Sequence, residues 1–108
     1  IEAEMALRVG GTTAFADIAA TFKVSEYREA IILYEIKPKI VSVGGLIRQC
    51  AMLRMAAESV FNTGITMPIV AAVVPRDDPM LRALVEMGGR FVICTWNGET
   101  IEYPRLLP

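Results

Sequence analysis

Four short stretches carry the residue types from which a site can be built: Gly10-Gly11-Thr12-Thr13, Gly44-Gly45 with Arg48, Arg76-Asp77-Asp78, and Thr95-Trp96-Asn97. Glycine pairs let a ligand approach the backbone, and free amides at a helix N-terminus attract an anion. Arginine can clamp a phosphate or carboxylate with two parallel hydrogen bonds. The candidate anion-binding set is therefore Gly10, Gly11, Thr12, Thr13, Gly44, Gly45, Arg48 and Arg76, with Asp77 as candidate acid or base. Asp77 and Asp78 could also hold Mg²⁺, but adjacent residues point different ways and Asp78 suits a helix N-cap, so no metal site is expected. Each stretch has a plainer reading beside it. A glycine pair after a strand makes a tight turn, and Trp96 can pack a hairpin as well as stack on a planar ligand. There is no GxGxxG and no GxxxxGK[ST], so the sequence names no cofactor.

Composition narrows the classes. The 108 residues suffice for one domain with one core, taken as residues 1–108. The apolar fraction of 54 % leaves a thin polar surface, which points to self-association. Eleven basic and twelve acidic residues give a net charge of −1, which argues against a general nucleic-acid binder. No histidine is present, which removes the commonest general base and transition-metal ligand. Cys50 and Cys94 sit inside apolar runs and read as buried, reduced thiols of a cytoplasmic protein. No apolar run reaches the length of a membrane span, and no leader pattern is visible. The chain opens on Ile1 rather than Met, as a processed or excised segment would.

The elements that would position these residues follow from periodicity. Residues 2–9 alternate as a strand. Thr12 or Thr13 caps a helix through Thr21, and residues 22–24 form a very short strand. Ser25 caps a second helix that Pro38 stops, with a strand at 30–36 as the competing reading of Ile-Ile-Leu-Tyr. Residues 40–43 are a strand, 46–61 a helix apolar nearly all round with an Arg54–Glu58 pair, and Gly64 its stop after Thr63. A strand at 69–74 has no polar residue, so both its faces should be covered. A helix follows Asp78-Pro79, then a strand at 91–96, and Asn97-Gly98 turns the chain back as an antiparallel strand at 99–103. The expected fold is α/β: a small doubly wound, flavodoxin-like, mostly parallel sheet of four or five strands, helices on both faces, and a C-terminal hairpin strand.

Residues 25–43, Ser-Glu-Tyr-Arg-Glu-Ala running on to Lys37-Pro38-Lys39-Ile40-Val41-Ser42-Val43, resemble the stretch of cobalamin-binding domains where a helix ends in Lys-Pro-Asp-Ile-Val before the third strand. The resemblance covers under a fifth of the chain and implies a flavodoxin-like fold. Those domains carry Asp-x-His-x-x-Gly after the first strand, where this chain has Gly10-Gly11-Thr12-Thr13, so cobalt ligation is not implied.

Three functional expectations result. The first is a non-catalytic binding or regulatory module that self-associates through apolar helix surface. The second is a small enzyme or enzyme subunit acting on a phosphate- or carboxylate-bearing metabolite, which requires the four loops to open onto one concavity. Nucleic-acid binding is the least favoured of the three.

Overall fold

A computed structural model of the chain describes residues 2–61 and 64–104. Six strands form one sheet in sequence order: β1 (Glu2–Val9), β2 (Thr12–Lys23), β3 (Glu29–Ile36), β4 (Thr66–Pro75), β5 (Val92–Trp96) and β6 (Ile101–Glu102). Helix α1 (Val43–Val60) links β3 to β4, and α2 (Leu81–Met87) links β4 to β5. β1–β2, β2–β3 and β5–β6 pair antiparallel, whereas β3–β4 and β4–β5 pair parallel.

The doubly wound, flavodoxin-like expectation is thereby overturned. The sheet is mixed and mostly antiparallel, its strand order never reverses, and both described helices lie on one face. Two sequence readings caused the error. Residues 12–21 show helical spacing, yet they pair with β1 on one side and, from Ile18 onward, with β3 on the other. Residues 29–36 are the strand that competed with a helix: Ile31, Ile32 and Tyr34 fit a pleated, half-buried surface, and two partners supply the ladder. Ser25 caps no helix, because its amide and that of Val24 both donate to the Arg28 carbonyl in a turn. The fold implied by the resemblance at residues 25–43 falls with these corrections.

The strand–helix–strand unit survives with a different first strand. Residues 40–43 are not a strand; Ile40 is buried in a loop, and the helix begins at Val43. Ser42 is the N-cap, its Oγ accepting from the Gly45 amide at 3.1 Å. Leu46, Cys50, Leu53, Ala56 and Ala57 form the buried stripe of α1, against Ile31, Leu33, Val70, Ala72 and Val74 of the sheet. Arg54 and Glu58 pair at 2.8 Å on its outer side. The helix ends before the expected stop at Gly64: Phe61 is the C-cap, its amide donating to the Ala57 carbonyl, and Thr63 lies outside the described residues. α2 starts two residues later than expected: Met80 is the N-cap, and Asp78 instead accepts the Met80 amide at 2.9 Å. The last hairpin is wider than a two-residue turn. Trp96 pairs with Ile101, and the Asn97 side chain accepts the amides of Glu99 and Thr100.

The other sheet face holds a second cluster, Ala20, Tyr34, Ala71, Val73 and Cys94, with no helix of the described residues upon it. The Tyr34 and Tyr103 hydroxyls share a hydrogen bond of 2.8 Å at its margin. Both faces of β4 are therefore covered, as the lack of polar residues at 69–74 implies: one by α1, the other by side chains of the neighbouring strands, which leave Ala71 and Val73 buried. No described helix is long and apolar enough to cross a membrane.

Candidate functional site

The two carboxylates of this protein come together at the end of a strand ladder. The β2–β3 ladder ends with Ile18 opposite Tyr34, and just beyond its end Asp17 of β2 lies close enough to Glu35 of β3 for their charges to interact. Asp17 is exposed, whereas Glu35 is buried. Regular pairing stops here. The β1–β2 ladder passes from Ala3–Ile18 to Met5–Ala16, and Glu4 between them takes a left-handed φ of +52° that a non-glycine residue rarely adopts. β3 thus loses its backbone partner on this side, and the Asp17 side chain replaces it: its Oδ2 accepts the Ile36 amide at 2.7 Å. That bond fixes the carboxylate and leaves its second oxygen for another partner.

Glu35 is the one buried charged residue among those described, 9 % exposed. Ile31 and Leu33 belong to the helix-side core, and the strand's alternation carries Glu35 and Lys37 to that same face. The Lys37 ammonium lies 3.2 Å from Glu35 Oε1. Burial pushes the Glu35 carboxyl above its usual range, Lys37 draws it back in part, and the Asp17 carboxylate pushes it up again. Glu35 in turn helps raise the thiol of Cys50 on α1, which burial mainly drives up to about 12. A buried carboxylate held beside a second carboxylate is costly for folding and is a mark of functional sites.

A concavity of about 470 Å³ opens beside this cluster where β3 runs into α1. Ile40, Val41, Leu46 and Met52 give it a mostly apolar wall, and Lys37, Lys39 and Arg48 bring three cations to it beside Ser42, Gly45 and Gln49. Neither Asp17 nor Glu35 lines it. Among the described residues no three Asp, Glu, Cys or His side chains stand together as a metal cage. Two carboxylates with an open side suit Mg²⁺, which keeps several waters and takes its remaining ligands from substrate phosphates.

The residues singled out from the sequence fall in three places. Gly45 and Arg48 line the cationic concavity, and Gly44 sits in the first turn of α1, where an added Cβ would lie 3.5 Å from the Arg48 guanidinium. Arg76 and Asp77 line a different concavity with Trp96 and Glu99, and Arg76 pairs with Glu102 at 3.4 Å. Gly10, Gly11, Thr12 and Thr13 form the exposed tip and first pairs of the β1–β2 hairpin, with Gly10 at φ +61°. The four loops do not share one concavity. Asp78 ties two of them together, its Oδ2 accepting the Ile40 amide at 2.9 Å.

Asp17, Glu35, Lys37, Lys39 and Gln49 were missed. The available signal was Glu35-Ile36-Lys37: an acid and a base flanking one apolar residue share a face only on a strand. Reading 25–37 as a helix removed that meaning.

No protein-family model matches the chain, and no curated protein or solved structure matches it significantly.

Proposed function

We propose that the chain is a divalent-metal-dependent hydrolase of phosphodiester bonds, with a nucleic-acid strand as its substrate. The observation that carries this reading is buried Glu35, with Asp17 nearby on the neighbouring strand and Lys37 at 3.2 Å, beside a concavity at which Lys37, Lys39 and Arg48 gather. Asp17 and Glu35 would hold the metal ion, which supplies a water acidic enough to attack at neutral pH and a Lewis acid for the phosphoryl oxygen. Lys37 now neutralises Glu35; with the carboxylate engaged elsewhere, its ammonium is placed to balance charge gathering on the phosphoryl oxygens. Lys39 and Arg48 position the neighbouring backbone phosphates. In that reaction water would give one proton to solvent and bond through oxygen to phosphorus, one ester P–O bond would break, and the leaving oxygen would take a proton from solvent. A whole-chain charge of −1 counts poorly against this, because a polyanion meets the local surface.

The test is cleavage of a labelled single-stranded oligonucleotide with Mg²⁺ or Mn²⁺. Cleavage should vanish with EDTA and in Asp17→Asn and Glu35→Gln proteins purified in parallel. Equal cleavage by wild type and both variants, or none with either metal, overturns the reading.

Self-association is a second reading, supported by Met52 and Met55, 54 % and 71 % exposed on the outer side of α1. A clean monomer by sedimentation at micromolar concentration would contradict it. Two unpaired buried thiols, Cys50 and Cys94, support a reducing, cytoplasmic setting.

A further inference from the structure

A second concavity, of about 380 Å³, lies across the carboxyl-terminal rim of the sheet from the cationic one. Ile18, Ile36, Val73 and Ile101, on the sheet face away from the helices, line it together with Pro38, Pro75 and Trp96. Trp96 ends β5 and is 41 % exposed. A large amphipathic ring left this open, against two rigid prolines, offers a flat apolar slot to a planar ligand.

Lys37 identifies the occupant, because it lines both concavities. Its ammonium is on the carboxylate side at Glu35, and the chain then crosses the rim at Pro38. A ligand whose anionic group sits at Lys37 therefore has an apolar, aromatic-walled slot within reach of its next chemical unit. A nucleotide has that construction, a phosphate joined to a planar base. The far side of Trp96 does not suit a phosphate, since Asp77 and Glu99 line the neighbouring concavity and Glu102 occupies Arg76. The polarity of the slot is thus set: phosphate toward Lys37, base toward Trp96.

We infer that the Trp96 slot is a base-binding subsite, in which one unpaired nucleobase stacks on the indole while its phosphate lies on Lys37. The inference rests on the phosphodiester reading for its substrate class and adds to it a preference for single strands. A base inside a duplex is covered by its neighbours and cannot enter the slot, whereas aromatic stacking accepts any unpaired base.

Trp96 is the only tryptophan of the chain, so a fluorescence change on binding reports on this one indole. With EDTA present and in the Glu35→Gln protein, which leaves Lys37 without its carboxylate partner and is not expected to cleave, the chain is titrated with a short oligothymidylate, with the same strand in an oligothymidylate–oligoadenylate duplex, and with inorganic polyphosphate. The single strand should quench Trp96, and polyphosphate should bind without quenching. Trp96→Leu should weaken single-strand binding, read by anisotropy of a labelled strand, roughly tenfold. Trp96→Phe should stay close to wild type, and neither variant should alter polyphosphate binding. Equal quenching by polyphosphate, equal affinity for strand and duplex, no effect of Trp96→Leu, or no strand binding at all would each overturn the subsite. Retained cleavage without Trp96 dependence removes the subsite alone. Trp96-dependent strand binding without metal-dependent cleavage removes the hydrolase reading and leaves the subsite.

Discussion

The molecule holds two pairs of acidic residues that could be taken for a catalytic dyad, and they are built in opposite ways. Asp77 and Asp78 are adjacent in sequence and diverge in space: Asp77 is exposed, while Asp78 accepts the amides of Ile40 and Met80. Asp17 and Glu35 are far apart in sequence and come together where the β2–β3 ladder ends, with Asp17 Oδ2 accepting the amide of Ile36, the residue after Glu35. The first pair is a surface residue beside a structural clamp. The second includes the one buried charge among the described residues, which the fold keeps although burial opposes its ionised form. Proximity in sequence is poor evidence for a site, because alternation separates neighbours, whereas strand pairing brings distant residues together.

The largest effect that can break this contrast is on turnover. Asp17→Asn or Glu35→Gln should lower metal-dependent strand cleavage by roughly a hundredfold or more, while Asp77→Asn leaves it unchanged. Rate measurements at saturating Mg²⁺ decide it, and equal losses at Asp77 and Glu35 would erase the distinction.

The second effect is on stability and runs the other way. Asp78→Ala strips the partner from two backbone amides and should cost about 1–3 kcal/mol in a denaturant titration. Asp77→Ala should cost nothing measurable. An Asp78→Ala protein as stable as wild type would deny the clamp.

Glu35 offers a sharper, smaller test. Its carboxyl is raised in the folded protein, so between the ordinary carboxylate range and that raised value the folded state keeps a proton the unfolded chain has released. Stability should therefore fall as pH climbs through that window. Glu35→Gln should flatten the fall and melt higher than wild type near pH 7 while losing cleavage. A melting series from pH about 4 to about 7 reads this. A Gln variant that melts lower throughout would make Glu35 a structural ion-pair partner of Lys37.

The glycines come last. Gly10→Ala should cost about 1 kcal/mol, because φ is +61° there. At Gly45 an added Cβ would stand 3.2 Å from Ser42 Oγ, straining the N-cap, while alanine favours the helix by about 1 kcal/mol. The two nearly cancel, so Gly45→Ala should melt within a few degrees of wild type. A large loss there would mean that the cap cannot shift.

Much of the chain was legible in its sequence. Alternation at 2–9, the apolar runs of 46–60 and 69–74 and the turn after Trp96 gave β1, α1, β4 and the last hairpin, because each pattern is local. Residues 12–23 were not legible as a strand and 29–36 only as the competing reading, since their apolar spacing also fits a helix and only pairing with each other decides it. The same ambiguity hid the candidate site. Gly45 and Arg48 were visible from composition and spacing, but Glu35 and Lys37 acquire a common face only once β3 is a strand.

The most direct test of the account is to locate the metal. Crystals grown or soaked with Mn²⁺ should give an anomalous peak between the Asp17 and Glu35 carboxylates, with Lys37 turned away from Glu35. A peak at Asp77 and Asp78, or Mn²⁺ absent from the Asp17–Glu35 pair while the Lys37–Glu35 contact persists, would contradict it.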